Sequence, residues 1–156
     1  MISKRPAILF VCLGNICRSP LAEAALRARA EAVGLEITVD SAGTGDWHVG
    51  NPPDPRAQAT ALAHGIDISV LRARQVRQDD FDRFTHIFAL DRENLANLHR
   101  LAPPDASASL ALLMDVVPGM EGQPVADPYF GDEAGFETTW AEVDAAAVAL
   151  VDALRP

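Results

Sequence analysis

The chain has little cysteine, little positive charge and no long apolar run, and each shortage closes off a class of protein. Only two of its 156 residues are cysteines, Cys12 and Cys17. A small secreted domain stapled by disulfides carries more, and a domain of this length buries roughly 68–70% of its unfolded surface and folds without staples. His48, His64, His86 and His99 do not cluster at ligand spacing, so no structural metal site is expected. Lys and Arg total 13 against 22 Asp and Glu, a formal charge of −9. That balance argues against general nucleic-acid or anionic-membrane binding, which want a basic surface. It leaves room for a small cationic pocket. No stretch approaches the ~18 apolar residues of a membrane span. The opening "MISKRPAILFVCLG" imitates a signal peptide, but its apolar run from Ala7 to Leu13 is short and no small-x-small cleavage site follows. A cytoplasmic location is expected. Repeats, linkers and low-complexity tracts are missing too, so a single domain over residues 1–156 is expected.

What the chain does have is alternation. "AILFVC" at 7–12 is a continuous apolar run, as in a strand buried on both faces. From Pro20 to Val33 the residues Ala22, Ala25, Leu26, Ala32 and Val33 fall on one helical face. Ser19-Pro20 is a helix start and Gly34 a stop, with Glu23 and Arg27 as an i,i+4 pair on the exposed side. Further strands are expected at 36–44, 85–90 and 109–116. Further helices are expected from Pro55 to Gly65 behind an Asp54 cap, at 78–84 and at 91–101. Residues 117–131 read as a long loop. A last helix places Phe136, Trp140, Val143, Ala147, Leu150 and Leu154 on one stripe, with Asp132 and Glu133 favouring its start. The pattern predicts an α/β fold: a four-stranded parallel sheet with helices on both faces and right-handed crossovers. Ligands in such sheets bind beyond the carboxyl ends of the strands, and residues 12–18 lie at that edge.

The stretch "VCLGNICRSP" joins the first strand to the first helix. A strand, a tight loop and a helix N-terminus make an anion site, because free backbone N–H groups and the positive end of the helix dipole meet there. No Gly-Lys-Ser/Thr follows, so it is not a Walker A loop, and Gly14 stands alone, so it is not a dinucleotide fingerprint. This loop begins with a cysteine. A thiol in such a field ionises more readily than a free cysteine at ~8.5, and the thiolate is the nucleophile. Arg18 ends the loop with a planar fork suited to two phosphate oxygens. An attacking sulfur, a ring of amide donors from Leu13, Gly14, Asn15, Ile16 and Cys17, and a bidentate clamp are the parts for phosphoryl transfer through a phosphocysteine.

The segment resembles the signature of the low-molecular-weight protein tyrosine phosphatases. The likeness runs along nearly the whole chain, through "DSAGTGDWHVGNPPDPRA", "HGIDIS", "ARQV", "DRENL" and "ADPYFG". It implies Cys12 as nucleophile, Arg18 as phosphate clamp, and Ser19 as a hydrogen-bond donor to the thiolate. It implies Asn15, in a left-handed conformation, and Ser41 as braces of the loop. Asp127, before Pro128, is implied as the general acid. The need for such an acid is independent, since a tyrosine oxygen leaves more easily with a proton. Ile16, Trp47, Tyr129 and Phe130 are implied as the walls around an aromatic substrate. The resemblance implies no cofactor and no metal, phosphotyrosine-containing proteins as partners with tyrosine kinases among the candidates, and a monomer or weak dimer. One departure stands out: family members often carry a histidine soon after the "HGI-x-x-S" segment, and Val70 and Leu71 stand there instead, which removes one support of Asn15.

Cys17 has two readings, as packing or as a partner that traps oxidised Cys12 in a reversible disulfide. Trp140 is expected in the core, and His64 at the end of a helix. A thiol-dependent arsenate reductase on this scaffold would relay oxidation through later cysteines, which the chain lacks beyond Cys17. A phosphoarginine phosphatase would carry threonine where Ile16 stands. A phosphate-binding module without catalysis would lack nucleophile or acid.

Overall fold

The computed structural model describes residues 5–129, 131 and 133–155. Four strands, β1 (Ala7–Cys12), β2 (Thr38–Gly43), β3 (His86–Ala89) and β4 (Ser109–Leu112), form one sheet in the order β2-β1-β3-β4. Every pairing is parallel. The helices are α1 (Arg18–Ala32), α2 (Pro55–Ala63), α3 (Asp80–Arg83), α4 (Arg92–Leu101) and α5 (Glu133–Leu154).

The central strand explains the two-layered core. All six residues of β1 are buried, and strand alternation sends them to opposite faces. Ile8, Phe10 and Cys12 join a cluster with α1, α2 and α5, including Leu21, Leu26, Phe136 and Trp140. Leu9 and Val11 join a second cluster with Phe81 from α3, Phe84 just after it and Leu98 from α4. Helices therefore cover both faces, which is why β1 is apolar throughout rather than alternating.

Three local expectations need correction. α1 begins at Arg18, not Pro20, and Cys17 at its cap makes no side-chain capping bond. Ser19 is inside the first turn, where its hydroxyl is engaged elsewhere. Ala32 and Val33 lie on the exposed end of α1, whereas Glu23 is buried at 3% exposure. The spacing of Glu23 and Arg27 looks like a surface pair, but only Arg27 reaches solvent. The fourth strand stops at Leu112 and a 3-10 turn takes Leu113–Val116. Leu112, Leu113 and Met114 are all buried in succession, so the apolar run continues through the turn and gives no mark of where the strand ends.

Other signals act as anticipated. Asp54 Oδ1 accepts from the Arg56 amide at 2.8 Å and caps α2, with Pro55 in the first helical position. Gly34 and Gly65 take positive φ after α1 and α2. His64 is the C-cap of α2 and stacks on Trp140 at 4.8 Å.

The strand order sets the site. From β1 the chain crosses to β2 on one side, and later from β3 to β4 on the other. The loops leaving β1 and β3 therefore diverge, and the crevice between them is the place where open α/β sheets bind ligands.

Candidate active site

The loop 13–17 closes over the end of β1 with the Cys12 sulfur at its base, buried at 4% exposure. Two donors surround that sulfur. The Asn15 amide donates to it at 3.3 Å, and Ser19 Oγ lies 3.0 Å away. Asn15 sits at φ 58°, a left-handed conformation that asparagine tolerates better than most residues. Gly43, at the end of β2, runs directly beneath: a Cβ there would lie 2.7 Å from the Leu13 carbonyl oxygen. α1 starts one residue after the loop, so its first-turn amides have no helical acceptors and face the loop with the dipole's positive end.

Behind the sulfur runs a chain of buried hydrogen bonds with one direction. Glu23 accepts from Ser41 Oγ at 2.7 Å, and Arg27 Nη2 donates to the same carboxylate at 2.6 Å. With its proton committed to Glu23, Ser41 accepts from Asn15 Nδ2 at 3.0 Å. The same Nδ2 donates to Ser19 Oγ at 2.8 Å. The Ser19 hydroxyl proton is thereby left for the sulfur. Asn15 Oδ1 accepts from the Arg74 amide at 3.0 Å, which fixes which way the Asn15 amide points. Burial raises the Glu23 pKa, against the lowering effect of the Ser41 and Arg27 hydrogen bonds. Glu23 and Arg74 were not among the expected loop supports. The Arg74 amide holds Asn15 directly and Glu23 acts on it through Ser41, while Val70 is 77% exposed.

Arg18 reaches across the crevice. Its Nη1 donates to Asp91 Oδ2 at 2.9 Å and to the Val125 carbonyl at 3.2 Å, and its Nη2 lies 3.6 Å from Asp127 Oδ2. Asp91 does double service, because its Oδ1 also accepts from the Asn94 amide and caps α4. The guanidinium is thus held in plane before any ligand arrives, with its side chain 5% exposed.

Cys12, Ile16, Arg18, Trp47, Asp127 and Tyr129 come together around one cavity of about 280 Å³. Asn15, Ser19 and Ser41 stand behind the sulfur rather than in the cavity. Phe130, expected as a wall, lies outside the described residues, as does Asp132. His48, not expected there, also lines the cavity; its position next to Trp47 in the same loop was the available signal. A larger cavity of about 850 Å³ lies between α1 and residues 65–71, and neither cysteine nor Arg18 lines it. Cys17 carries a free thiol, as does Cys12. Burial, then the nearby Asp54 carboxylate, pushes the Cys17 pKa up to about 12, so this thiol stays protonated near neutral pH.

The late loop is held differently. Asp127 is exposed, with its side chain at 54%, and its Oδ1 accepts from the Tyr129 amide two residues on. Arg56, fastened to Asp54 by paired bonds, donates to the Tyr129 and Gly131 carbonyls at 2.8 and 3.2 Å. The Asp54 amide in turn donates to the Ile16 carbonyl at 2.8 Å. Asp54 and Arg56 therefore bridge the loop at 13–17 and the late loop. The Arg56 guanidinium holds the Asp54 carboxyl below its ordinary range.

Fold and crevice together define an α/β protein with a buried cysteine at the base of the loop that follows its central strand. The profile of the low molecular weight phosphotyrosine protein phosphatases matches residues 7–156, and the chain belongs to that family. It is 45% identical over 138 residues to the low molecular weight phosphotyrosine protein phosphatase of Schizosaccharomyces pombe, covering 86% of this chain and 88% of that one. It is 44% identical to the low molecular weight protein-tyrosine-phosphatase of Streptomyces coelicolor, covering 95% and 93%. The crystal structure of DARP, a Drosophila arginine phosphatase, superposes with a TM-score of 0.90 at 32% identity, covering 96% and 98%.

Proposed function

We propose that this protein hydrolyses phosphotyrosine through a phosphocysteine intermediate, and that residues 1–156 act as one catalytic domain. The Cys12 thiolate attacks phosphorus, forming an S–P bond as the bond to the tyrosine oxygen breaks. The Asp127 carboxyl group gives its proton to that departing oxygen. The resulting carboxylate then takes a proton from water, whose oxygen attacks phosphorus. The S–P bond breaks, the thiolate returns and inorganic phosphate leaves. Arg18 and the loop amides hold the equatorial oxygens throughout, where charge stabilisation matters most. Ser19 donates to the sulfur, which favours the thiolate both before attack and on departure.

The observation that carries this reading is the environment of the Cys12 sulfur: donors at 3.0 and 3.3 Å, at the base of a cavity that also holds Arg18 and Asp127. Turnover of p-nitrophenyl phosphate in excess chelator tests it. Cys12→Ser abolishes that turnover, and a fully active Cys12→Ser enzyme would overturn the reading.

The likeness to DARP gives a second reading, hydrolysis of phosphoarginine. Ile16, which lines the cavity, offers no hydrogen-bond acceptor to the polar N–H groups of a guanidine and so favours an aryl ring. Comparing kcat/KM for phosphotyrosine and phosphoarginine separates the two. Among the described residues no helix is long and apolar enough to cross a membrane. Phosphotyrosine proteins in the cytoplasm, tyrosine kinases among them, are the proposed substrates, met by a monomer or weak dimer.

A further inference from the structure

We propose that the groove next to the catalytic cavity, lined by Leu13, Thr44, Trp47, Asn97, Arg100 and Leu101, binds the polypeptide flanking the phosphotyrosine and selects an acidic side chain there. The inference rests on the phosphatase reading and adds the sequence context of its substrate.

The two spaces share a wall. Leu13 and Trp47 line both the cavity of about 280 Å³ and the groove of about 240 Å³. Each is smaller than the ~300–1,000 Å³ of a small-molecule site, which suits one side chain per compartment. Successive residues of an extended chain are spaced about 3.3–3.6 Å apart. A peptide anchored by its phosphotyrosine therefore passes over the Trp47–Leu13 wall and enters the groove within a few residues.

That wall is exposed and yet held in place. Trp47 is 70% exposed, Leu13 46% and Leu101 42%. Adjoining apolar exposure of this kind, beside a site, marks a surface that meets a partner. The Trp47 ring lies against Gly45 so closely that a Cβ there would sit 1.9 Å from Trp47 Cζ3. The Gly45 amide donates to the Leu13 carbonyl and the Thr44 amide to the Cys12 carbonyl, each at 2.9 Å. The partition is therefore built directly onto the phosphate loop. In the groove, Thr44 Oγ1 is buried and has no hydrogen-bond partner among the described residues.

Charge supplies the selectivity. Arg100 donates to Asn97 Oδ1, and no carboxylate among the described residues lies within ion-pair distance of it. A chain of net charge −9 repels acidic peptides in general. One unneutralised cation beside the cavity converts that repulsion into a preference at a single register.

The test uses peptides with one phosphotyrosine in an alanine-glycine background, with a glutamate or a lysine moved through the three positions on either side. Wild type is expected to prefer one register by about two- to fivefold in kcat/KM, the range of an exposed ion pair. The preference fades at 1 M salt, where the Debye length is about 3 Å. Arg100→Ala abolishes it and Arg100→Glu inverts it in favour of lysine, while p-nitrophenyl phosphate turnover is the same in all three proteins. Turnover of aryl phosphate with no preferred register, or a preference that survives Arg100→Ala, overturns this inference alone. Absence of aryl phosphate turnover by wild type overturns the phosphatase reading and this inference with it.

Discussion

The nucleophile and the acid of the proposed reaction sit on opposite walls of one crevice and are held by opposite means. Cys12 is buried and backed by Ser19, Asn15, Ser41 and Glu23 in a directed chain of hydrogen bonds. Asp127 is more than half exposed, on a loop tied down by bonds to its backbone, chiefly from Arg56 and Thr139. The difference matches the tasks. A thiolate must be stabilised before substrate arrives, which calls for fixed donors in a water-poor setting. A group that first gives a proton and then takes one from water works at the solvent boundary, and loops are where such positions are found.

Substitutions in the two walls should therefore differ in kind. The largest effect is expected at Arg18, the residue both walls share. Arg18→Ala should lower kcat/KM for an aryl phosphate by about 10³, the scale for removing a preorganised donor to a developing charge. A loss below tenfold would place the clamp elsewhere. Asp127→Asn should lower kcat by about 10² for a poor leaving group and by less for p-nitrophenol. It should not slow Cys12 alkylation by neutral iodoacetamide, and a slowed alkylation would show that Asp127 supports the sulfur. Ser41→Ala cuts the buried chain and should slow both alkylation and kcat by about two- to tenfold, the equivalent of one net hydrogen bond. Equal alkylation rates in Ser41→Ala and wild type would show that the chain does not reach the sulfur.

The smallest effect lies at the other end of the sheet. Burial lowers the His86 pKa from 6.5, so below pH 6.5 the unfolded chain takes up a proton first and the native state loses stability. Denaturant titrations at pH 7.5 and 5.5 should show a smaller loss for His86→Gln than for wild type, with kcat unaffected. Glu23 acts with the opposite sign. Its raised pKa means the native state binds a proton before the unfolded chain does, so stability from this group rises as pH falls toward 4.5.

The first wall was far more legible in the sequence than the second. An apolar run, a loop with Cys12, Gly14 and Arg18, and a helix are contiguous, and local spacing describes contiguous structure well. Glu23 was placed on the surface because Glu at i and Arg at i+4 make the same pattern whether or not the glutamate is covered. What covers it is the arrival of β2 with Ser41, a tertiary fact. The Arg18–Asp91 pair joins residues 73 apart in the chain, and no periodicity connects them. Asp91 was legible only as part of a helix start. Asp127 had no local mark beyond its proline, so its assignment came from family resemblance. The bridge through Asp54 and Arg56 was half legible, since the Asp-Pro cap was plain but its reach to the Tyr129 carbonyl was not. Ser19 looked like a cap because capping is what serine before proline usually does; here the sulfur takes its hydroxyl.

Asp91 bears on any attempt to move this chemistry to another scaffold. One carboxylate anchors the start of α4 and keeps the guanidinium of Arg18 from swinging away. A transferable unit thus needs, beyond the seven residues from Cys12 to Arg18 and the supports at Ser19, Glu23 and Ser41, the first turn following β3 at a matching separation. A graft of the loop alone would inherit the proposed nucleophile with an untethered arginine, and would be expected to bind oxyanions loosely in many orientations.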